Sequence, residues 1–373
     1  LTREEKKQLE QEGVIGPRGG AVPVTKQQGA AIPSPGEGDG ERLSPKVRAL
    51  VRRARNGAEL TPEEEAALPY QEFCRYLFDG KRVRGKPKML DGLRCLDFTT
   101  MILGPFQCAL LGELGMEVIK VEFPGRGDPM RYSGPPEEGF IKWTEETSGT
   151  KAQGVLGEGV QEETLPPTGS GLGWLDCARN KVHISLDIHP GPGAELLKNL
   201  AQKADVFVEN VRGGTLDRWG VGYRHLSRLN PRLVYAASNG PGQWGRQDLV
   251  RASYDILAQA MGGSAYITGH PDGEQMKVPI WVADYFGGAF AAFAILLALY
   301  WRERSGRGQM IENSQVEFII RALGPGVVWY GKTGTIQERY GNRHRWVCPD
   351  GIVKARDGFV AIGADDEAFA RLC

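Results

Sequence analysis

The sequence has no excess of either charge: its 373 residues hold 46 Lys+Arg against 46 Asp+Glu. That balance argues against a nucleic-acid binder acting through a bulk positive field, because counterion release needs Lys and Arg massed on one face. There is no Cys-x-x-Cys and no His-paired metal spacing around the six cysteines, Cys74, Cys95, Cys108, Cys177, Cys348 and Cys373. Scattered thiols fit a reducing, cytoplasmic compartment, and no metal site is expected. No Gly-x-Gly-x-x-Gly follows a candidate strand, and the GSGLGW run at 169–174 lacks the third glycine in its place. P-loop, His-Glu-x-x-His and Gly-x-Ser-x-Gly motifs are absent too, which leaves nucleotide hydrolases, zinc peptidases and serine hydrolases without support. The opening LTREEKKQLEQEG has no apolar core of an export signal.

Long hydrophobic runs are scarce as well. The single candidate is Tyr285 to Trp301, which carries no charge and is close to the minimum length of a membrane span. Standing alone and rich in Gly and Ala, it reads as a buried core helix, and no membrane association is expected.

What is present divides the chain in three. Residues 1–88 mix charge runs (EEKK, RRAR, EEE, KRVRGKPK) with Gly- and Pro-rich stretches, the composition of a partly flexible extension. Ser-Pro at 44–45 and Thr-Pro at 61–62 mark two helix starts within it. Residues 89–304 alternate β-rich and helical runs: LRCLDFT, GPFQCALLGELG, EVIKVEF, VHISLDI, DVFVEN and LVYAASNG. Such alternation predicts an α/β, Rossmann-like parallel sheet covered on both faces. The weakly periodic stretch 135–173 is a loop insertion, either a lid or a mobile loop. From 305 to 373 the pattern predicts the start of a smaller α+β domain, with a hairpin at Asp357-Gly358.

Open α/β sheets bind ligands outside the carboxyl ends of their strands. Basic residues recur around those ends: Arg126 and Arg131 after EVIKVEF, Arg179 and Lys181 before VHISLDI, and Arg212 and Arg218 after DVFVEN. Each alone reads as a surface charge; together they suit a polyphosphate. Asp284, at the head of the apolar helix, reads either as its N-cap or as a carboxylate facing a cavity, with Gly287 and Gly288 leaving room for a ligand.

Several ordered blocks resemble the class III CoA-transferases, the family that also holds α-methylacyl-CoA racemases. They include LDGLRCLDFTTMILGPFQCALLGELGMEVIKVEFPGRGDPMR, ADVFVENVRGGTLDRWGVGYRHLSRLNPRLVYAASNGPGQWG, SYDILAQAMGG and VADYFGGAFAAFAILLAL. The resemblance runs from Leu90 to Cys373. It implies two chains interlocked like links, as a homodimer or with a related subunit. It also implies that Asp284 attacks an acyl-CoA to form an anhydride and then an aspartyl-CoA thioester. The substrates are then an acyl-CoA donor such as succinyl-CoA and an organic carboxylic acid, aromatic acids included, with no permanently bound cofactor. Asn210 and Arg218 match family positions near the CoA, with Arg126, Arg179, Lys181 and Arg212 as weaker inferences. Tyr254 and Asp255 match positions lining the active site, beside Gly287 and Gly288. Trp244, Trp281, Tyr285 and Phe286 are either core or the wall of an aromatic acid's pocket.

This sequence departs from the family in two places. Racemases of the family use a His-Asp pair where Tyr254-Asp255 stand, and a phenol is a poor proton acceptor at neutral pH, so transferase is preferred to racemase or isomerase. The chain also ends at Cys373, where relatives continue through the small domain. A structural subunit of a heteromeric transferase is the third reading.

Overall fold

The computed structural model describes residues 44–80, 87–132, 172–244, 253–364 and 368–370, with the backbone of 150–151 and 164–165. They fall into two compact units divided after Lys86. The sequence places a flexible extension in the first unit, but residues 44–80 form three helices, α1 (Pro45–Arg55), α2 (Pro62–Ala66) and α3 (Tyr70–Leu77). Both Pro-initiated starts hold: Ser44 accepts the Val47 N–H, and Thr61 and Glu64 form a reciprocal capping box. Amphipathic spacing explains the order, since Leu50, Val51, Ala54, Leu68 and Tyr76 bury together despite the charges around them. The remainder of the extension, and most of the 135–173 insertion, lie outside the described residues.

The second unit carries the α/β alternation expected from the sequence. Its strands are β1 (Arg94–Phe98), β2 (Glu117–Glu122), β3 (Lys181–Ser185), β4 (Val206–Glu209), β5 (Val234–Asn239) and β6 (Met310–Ser314). They form one six-stranded sheet in the order β3-β2-β1-β4-β5-β6, with every pairing parallel. This is the doubly wound order, and its direction of winding reverses between β1 and β4. The sixth strand corrects the expected domain boundary near Ser305, because Met310–Ser314 extends the main sheet beside β5. Beyond it, β7 (Asp350–Lys354) and β8 (Phe359–Gly363) make the anticipated antiparallel hairpin.

The helices are α4 (Leu103–Glu113), α5 (Leu172–Ala178), α6 (Pro192–Ala201), α7 (Thr215–Arg218), α8 (Tyr223–Leu229), α9 (Asp255–Gly262), α10 (Ser264–Ile267), α11 (Val282–Ser305), α12 (Gln315–Ala322) and α13 (Gly326–Thr333). Strand side chains alternate between two buried layers, as a period of two requires. Leu96, Phe98 and Phe207 meet α6, α7 and α8 through Leu197, Leu216 and Leu226. Cys95, Val206 and Val208 face the other way, onto Leu111 of α4 and Ile295 and Leu299 of α11. Each such fully buried aliphatic side chain contributes about 1.5–3 kcal/mol.

The uncharged run is the middle of α11, which begins three residues earlier and ends four later than expected. This helix is long and apolar enough to cross a membrane, and half of its apolar window is buried inside the fold. Small residues let it press onto α4: a Cβ on Gly288 would stand 2.9 Å from the Leu103 carbonyl oxygen. Its far end is fixed by Arg302, nearly fully buried, 2.8 Å from Asp205, which also accepts the Arg94 N–H at the start of β1.

Candidate active site

A cleft of about 310 Å³ opens at the carboxyl ends of β1, β4 and β5, where the winding reverses. Thr100–Leu103 form one wall, Asn210–Gly213 a second and Ser238–Gly242 a third, with Asp284 and Gln315 among the remaining lining. Cleft and sheet reversal coincide because the chains leaving β1 and β4 must part in opposite directions.

The wall after β1 is held from beneath by a buried ionic network. Lys120 Nζ, wholly buried, donates to the Thr99 carbonyl at 2.7 Å and lies 2.9 Å from Asp128. The other Asp128 oxygen accepts the Met101 and Met130 N–H groups at 3.1 and 2.9 Å. Asn210 ties β1 to β4 by accepting the Thr100 N–H and donating to the Thr100 carbonyl. These bonds hold Met101 at φ 67°, a left-handed conformation uncommon for a side chain of its kind.

Asp284 stands in the first turn of α11. The N-cap of that helix, Trp281, offers no side-chain bond; the acceptor comes from Asp255 on α9, whose carboxylate takes the Ala283 N–H at 2.7 Å. The second Asp255 oxygen accepts from Gln259 at 2.6 Å. Capping by Asp255 corrects the reading of Asp284 as the cap and leaves the Asp284 carboxylate available. One of its oxygens accepts from Gln315 Nε2 at 2.6 Å. Burial, and then the charge of Asp255, push its pKa up to about 7 against the pull of Gln315. A carboxyl group so placed holds its proton more tightly than an exposed aspartate and, once ionised, is the stronger base.

The other residues singled out in the sequence separate into groups. Tyr254, Asp255, Asn210 and Arg212 line the cleft with Asp284, whereas Gly287 and Gly288 are buried against α4 and α12 and serve helix packing. Arg126 and Arg218 are exposed beyond the carboxyl ends of β2 and β4, outside the cleft lining, with Arg218 bonded to Thr215. Arg179 and Lys181 do not fit a phosphate site. Residues that precede a strand lie at the opposite edge of a parallel sheet from those that follow one. Arg179 is paired with Glu113 and Asp176, and Lys181 Nζ is buried between Asp97 (2.8 Å) and the Pro105 carbonyl (2.7 Å). Of the four aromatic candidates Trp281 alone lines the cleft; Tyr285 donates to Asp176, Trp244 to Glu312, and Phe286 is exposed. Gln315 and Lys277 line the cleft without having been singled out from the sequence. The available signal for Gln315 was a polar residue directly after a strand end, in ENSQ.

The family model for CoA-transferase family III matches residues 90–373. A curated relative from Chloroflexus aurantiacus, the beta subunit of a succinyl-CoA–L-malate CoA-transferase, is 36% identical over 76% of this chain and 64% of its own length. The succinyl-CoA:glutarate CoA-transferase of Mus musculus is 34% identical over 77% of this chain and 59% of its own. The chain thus spans a little under two thirds of these relatives. Among solved structures, a CAIB/BAIF family protein from Brucella suis superposes with a TM-score of 0.63 at 32% identity, covering 77% of this chain and 69% of that one. With the family model spanning the whole sheet and its cleft, the chain belongs to CoA-transferase family III.

Proposed function

We propose that the chain carries the catalytic aspartate of an acyl-CoA:carboxylate CoA-transferase, with Asp284 as a covalent nucleophile. The observation that carries this reading is the Asp284 carboxyl, largely buried at the cleft, bonded by Gln315 and ionising near neutrality. Its carboxylate attacks the thioester carbonyl of the donor; the C–S bond breaks, CoA thiolate leaves, and a mixed anhydride remains. The thiolate then attacks the aspartyl carbon of the anhydride, releasing the donor acid and leaving an aspartyl-CoA thioester. The acceptor carboxylate attacks that thioester, and the released thiolate takes the acceptor's acyl group, restoring Asp284. No net proton is consumed, and each hard exchange is split into steps whose intermediates stay bound.

Succinyl-CoA is the proposed donor and a small dicarboxylic acid the proposed acceptor, by analogy with the malate and glutarate enzymes above. Exposed Arg126, Arg212 and Arg218 at the carboxyl edge of the sheet suit the CoA phosphates. Racemisation has less support, since no histidine is among the described residues lining the cleft and both Asp255 oxygens are engaged. The test is to incubate the full-length protein with succinyl-CoA, quench with hydroxylamine and weigh the Asp284 peptide. A hydroxamate is expected, with the yield rising as pH climbs through about 7 because only the ionised carboxyl attacks. An unmodified peptide during turnover rejects the covalent role.

Assembly with a second chain of this family, a copy or a related subunit, forms part of the same proposal. Phe286, Phe290, Phe293, Leu297 and Trp301 are spaced four, three, four and four residues apart along α11, and each is about half exposed. An apolar stripe of this length favours association. Phe290→Glu together with Phe293→Glu is expected to lower the mass in solution to that of a single chain, read by sedimentation. An unchanged mass removes the stripe from the interface.

A further inference from the structure

Four charged side chains line the cleft among the described residues: Asp284, Asp255, Arg212 and Lys277. Asp255 is engaged as a cap and Asp284 is held by Gln315, but the side chains of Arg212 and Lys277 have no ion-pair or hydrogen-bond partner among the described residues. Two unpaired cations in a cleft that also holds a carboxylate are a site for anions. They belong to different segments of its lining. Arg212 follows β4, on the edge that carries the exposed arginines, whereas Lys277 belongs to the segment leading into α11.

That segment is fastened firmly. Gln259, fully buried, accepts the Val278 N–H at 2.8 Å and donates toward the Val278 and Ile280 carbonyls at 3.3 and 3.4 Å. The same Gln259 bonds Asp255, which caps the helix bearing Asp284. One buried amide therefore fixes the backbone beside Lys277 and the start of the nucleophile's helix together. About 310 Å³ is the small end of ligand-site volumes and suits a short acid and a thioester better than a nucleotide.

We infer that Lys277 binds the distal carboxylate of a short dicarboxylic substrate, making the site selective for dicarboxylates over monocarboxylates. This rests on the acyl-transfer reading of the cleft and deepens it. Placing an acid's reacting carboxylate beside Asp284 brings two negative groups together, and a second carboxylate adds a third. Selectivity for such a substrate requires a cation to meet the second carboxylate, and Lys277, in the same lining, is free to supply it.

The test is equilibrium dialysis of radiolabelled glutarate and butyrate against the full-length protein and its Lys277→Met and Lys277→Arg variants. The unmodified protein is expected to prefer glutarate by about 10- to 100-fold, the scale of one charge-assisted hydrogen bond. Lys277→Met erases the preference by weakening glutarate alone, and Lys277→Arg keeps most of it. Equal binding of the two acids by the unmodified protein overturns the inference, as does a preference that survives in Lys277→Met. So does a Lys277→Met variant that loses affinity for desulfo-CoA and keeps it for glutarate, since the lysine then serves a phosphate. The readout needs no turnover. A missing Asp284 hydroxamate would remove the covalent mechanism, while a glutarate preference lost in Lys277→Met would still support the dicarboxylate site.

Discussion

Replacing Asp284 by Asn is expected to abolish transfer and at the same time to stabilise the fold above neutral pH. The first effect follows from the nucleophilic role proposed for Asp284. Loss of a nucleophile is felt on a scale of roughly 10⁴-fold or more in kcat, because an amide cannot form the anhydride. The second follows from the position of the carboxyl. Burial and the neighbouring Asp255 charge raise its folded pKa to about 7, so between its unfolded value and pH 7 the folded chain binds more protons than the unfolded one. A group raised in this way lowers stability as pH rises through that window, and the loss is complete only above about 7. The full penalty for ionising Asp284 is roughly 4 kcal/mol.

Asn keeps the size and a hydrogen-bond acceptor for Gln315 while staying neutral. Asp284→Asn is therefore expected to melt higher than the unmodified protein at pH 8, and the difference should vanish near pH 4. Melting curves at the two pH values decide it. A variant that gains nothing at pH 8 would mean that the carboxylate is well solvated and carries no stored cost, and the account of its reactivity would fail with it. Activity and stability oppose each other at this one side chain, as expected where a charged group is held in a partly apolar wall for its chemistry.

Local regularities were legible in the sequence and distant partners were not. The strands from β1 to β5 and the helix α4 follow from contiguous patterns of apolar residues, and their ends fell within a few residues of expectation, whereas the short helices α5, α7 and α8 carried no such pattern and were not expected. β6 was assigned to a separate domain because the 24-residue α11 intervenes before it, and nothing local records that Met310–Ser314 pairs with β5. The cap of α11 shows the same limit more sharply. An aspartate near a helix start suggests a cap, yet the capping carboxylate belongs to Asp255, 28 positions before the amide it accepts. Lys181 was read as a phosphate ligand because sequence shows a charge without its partner, and that partner, Asp97, is 84 positions away. Asp284 itself was legible through the family resemblance and its place ahead of an apolar run. Gln315, its hydrogen-bond donor, was not, since the contact joins α11 to α12 across 31 positions.

The same non-local logic makes Lys120 the residue whose loss should most damage the fold around the cleft. Burial by itself would strip its charge, but Asp97 and Asp128 hold its pKa above the ordinary lysine value, so it stays a cation in the interior. Asp97 in turn is held below the usual carboxylate range by Lys120 and Lys181, against the effect of its own burial. Lys120→Met leaves buried Asp97 with Lys181 alone, takes the paired cation from buried Asp128 and frees the Thr99 carbonyl. Breaking a buried pair from one side costs about 3–5 kcal/mol, most of it from the charge left behind. The double variant Lys120→Met with Asp128→Asn removes one charge of each sign and is expected to recover part of that loss. It cannot recover all, because Thr99 still lacks its donor. Denaturant titrations of the four proteins measure the coupling. Additivity to within about 0.5 kcal/mol would show that the two side chains act independently. It would also leave the left-handed turn at Met101 without the support argued for it.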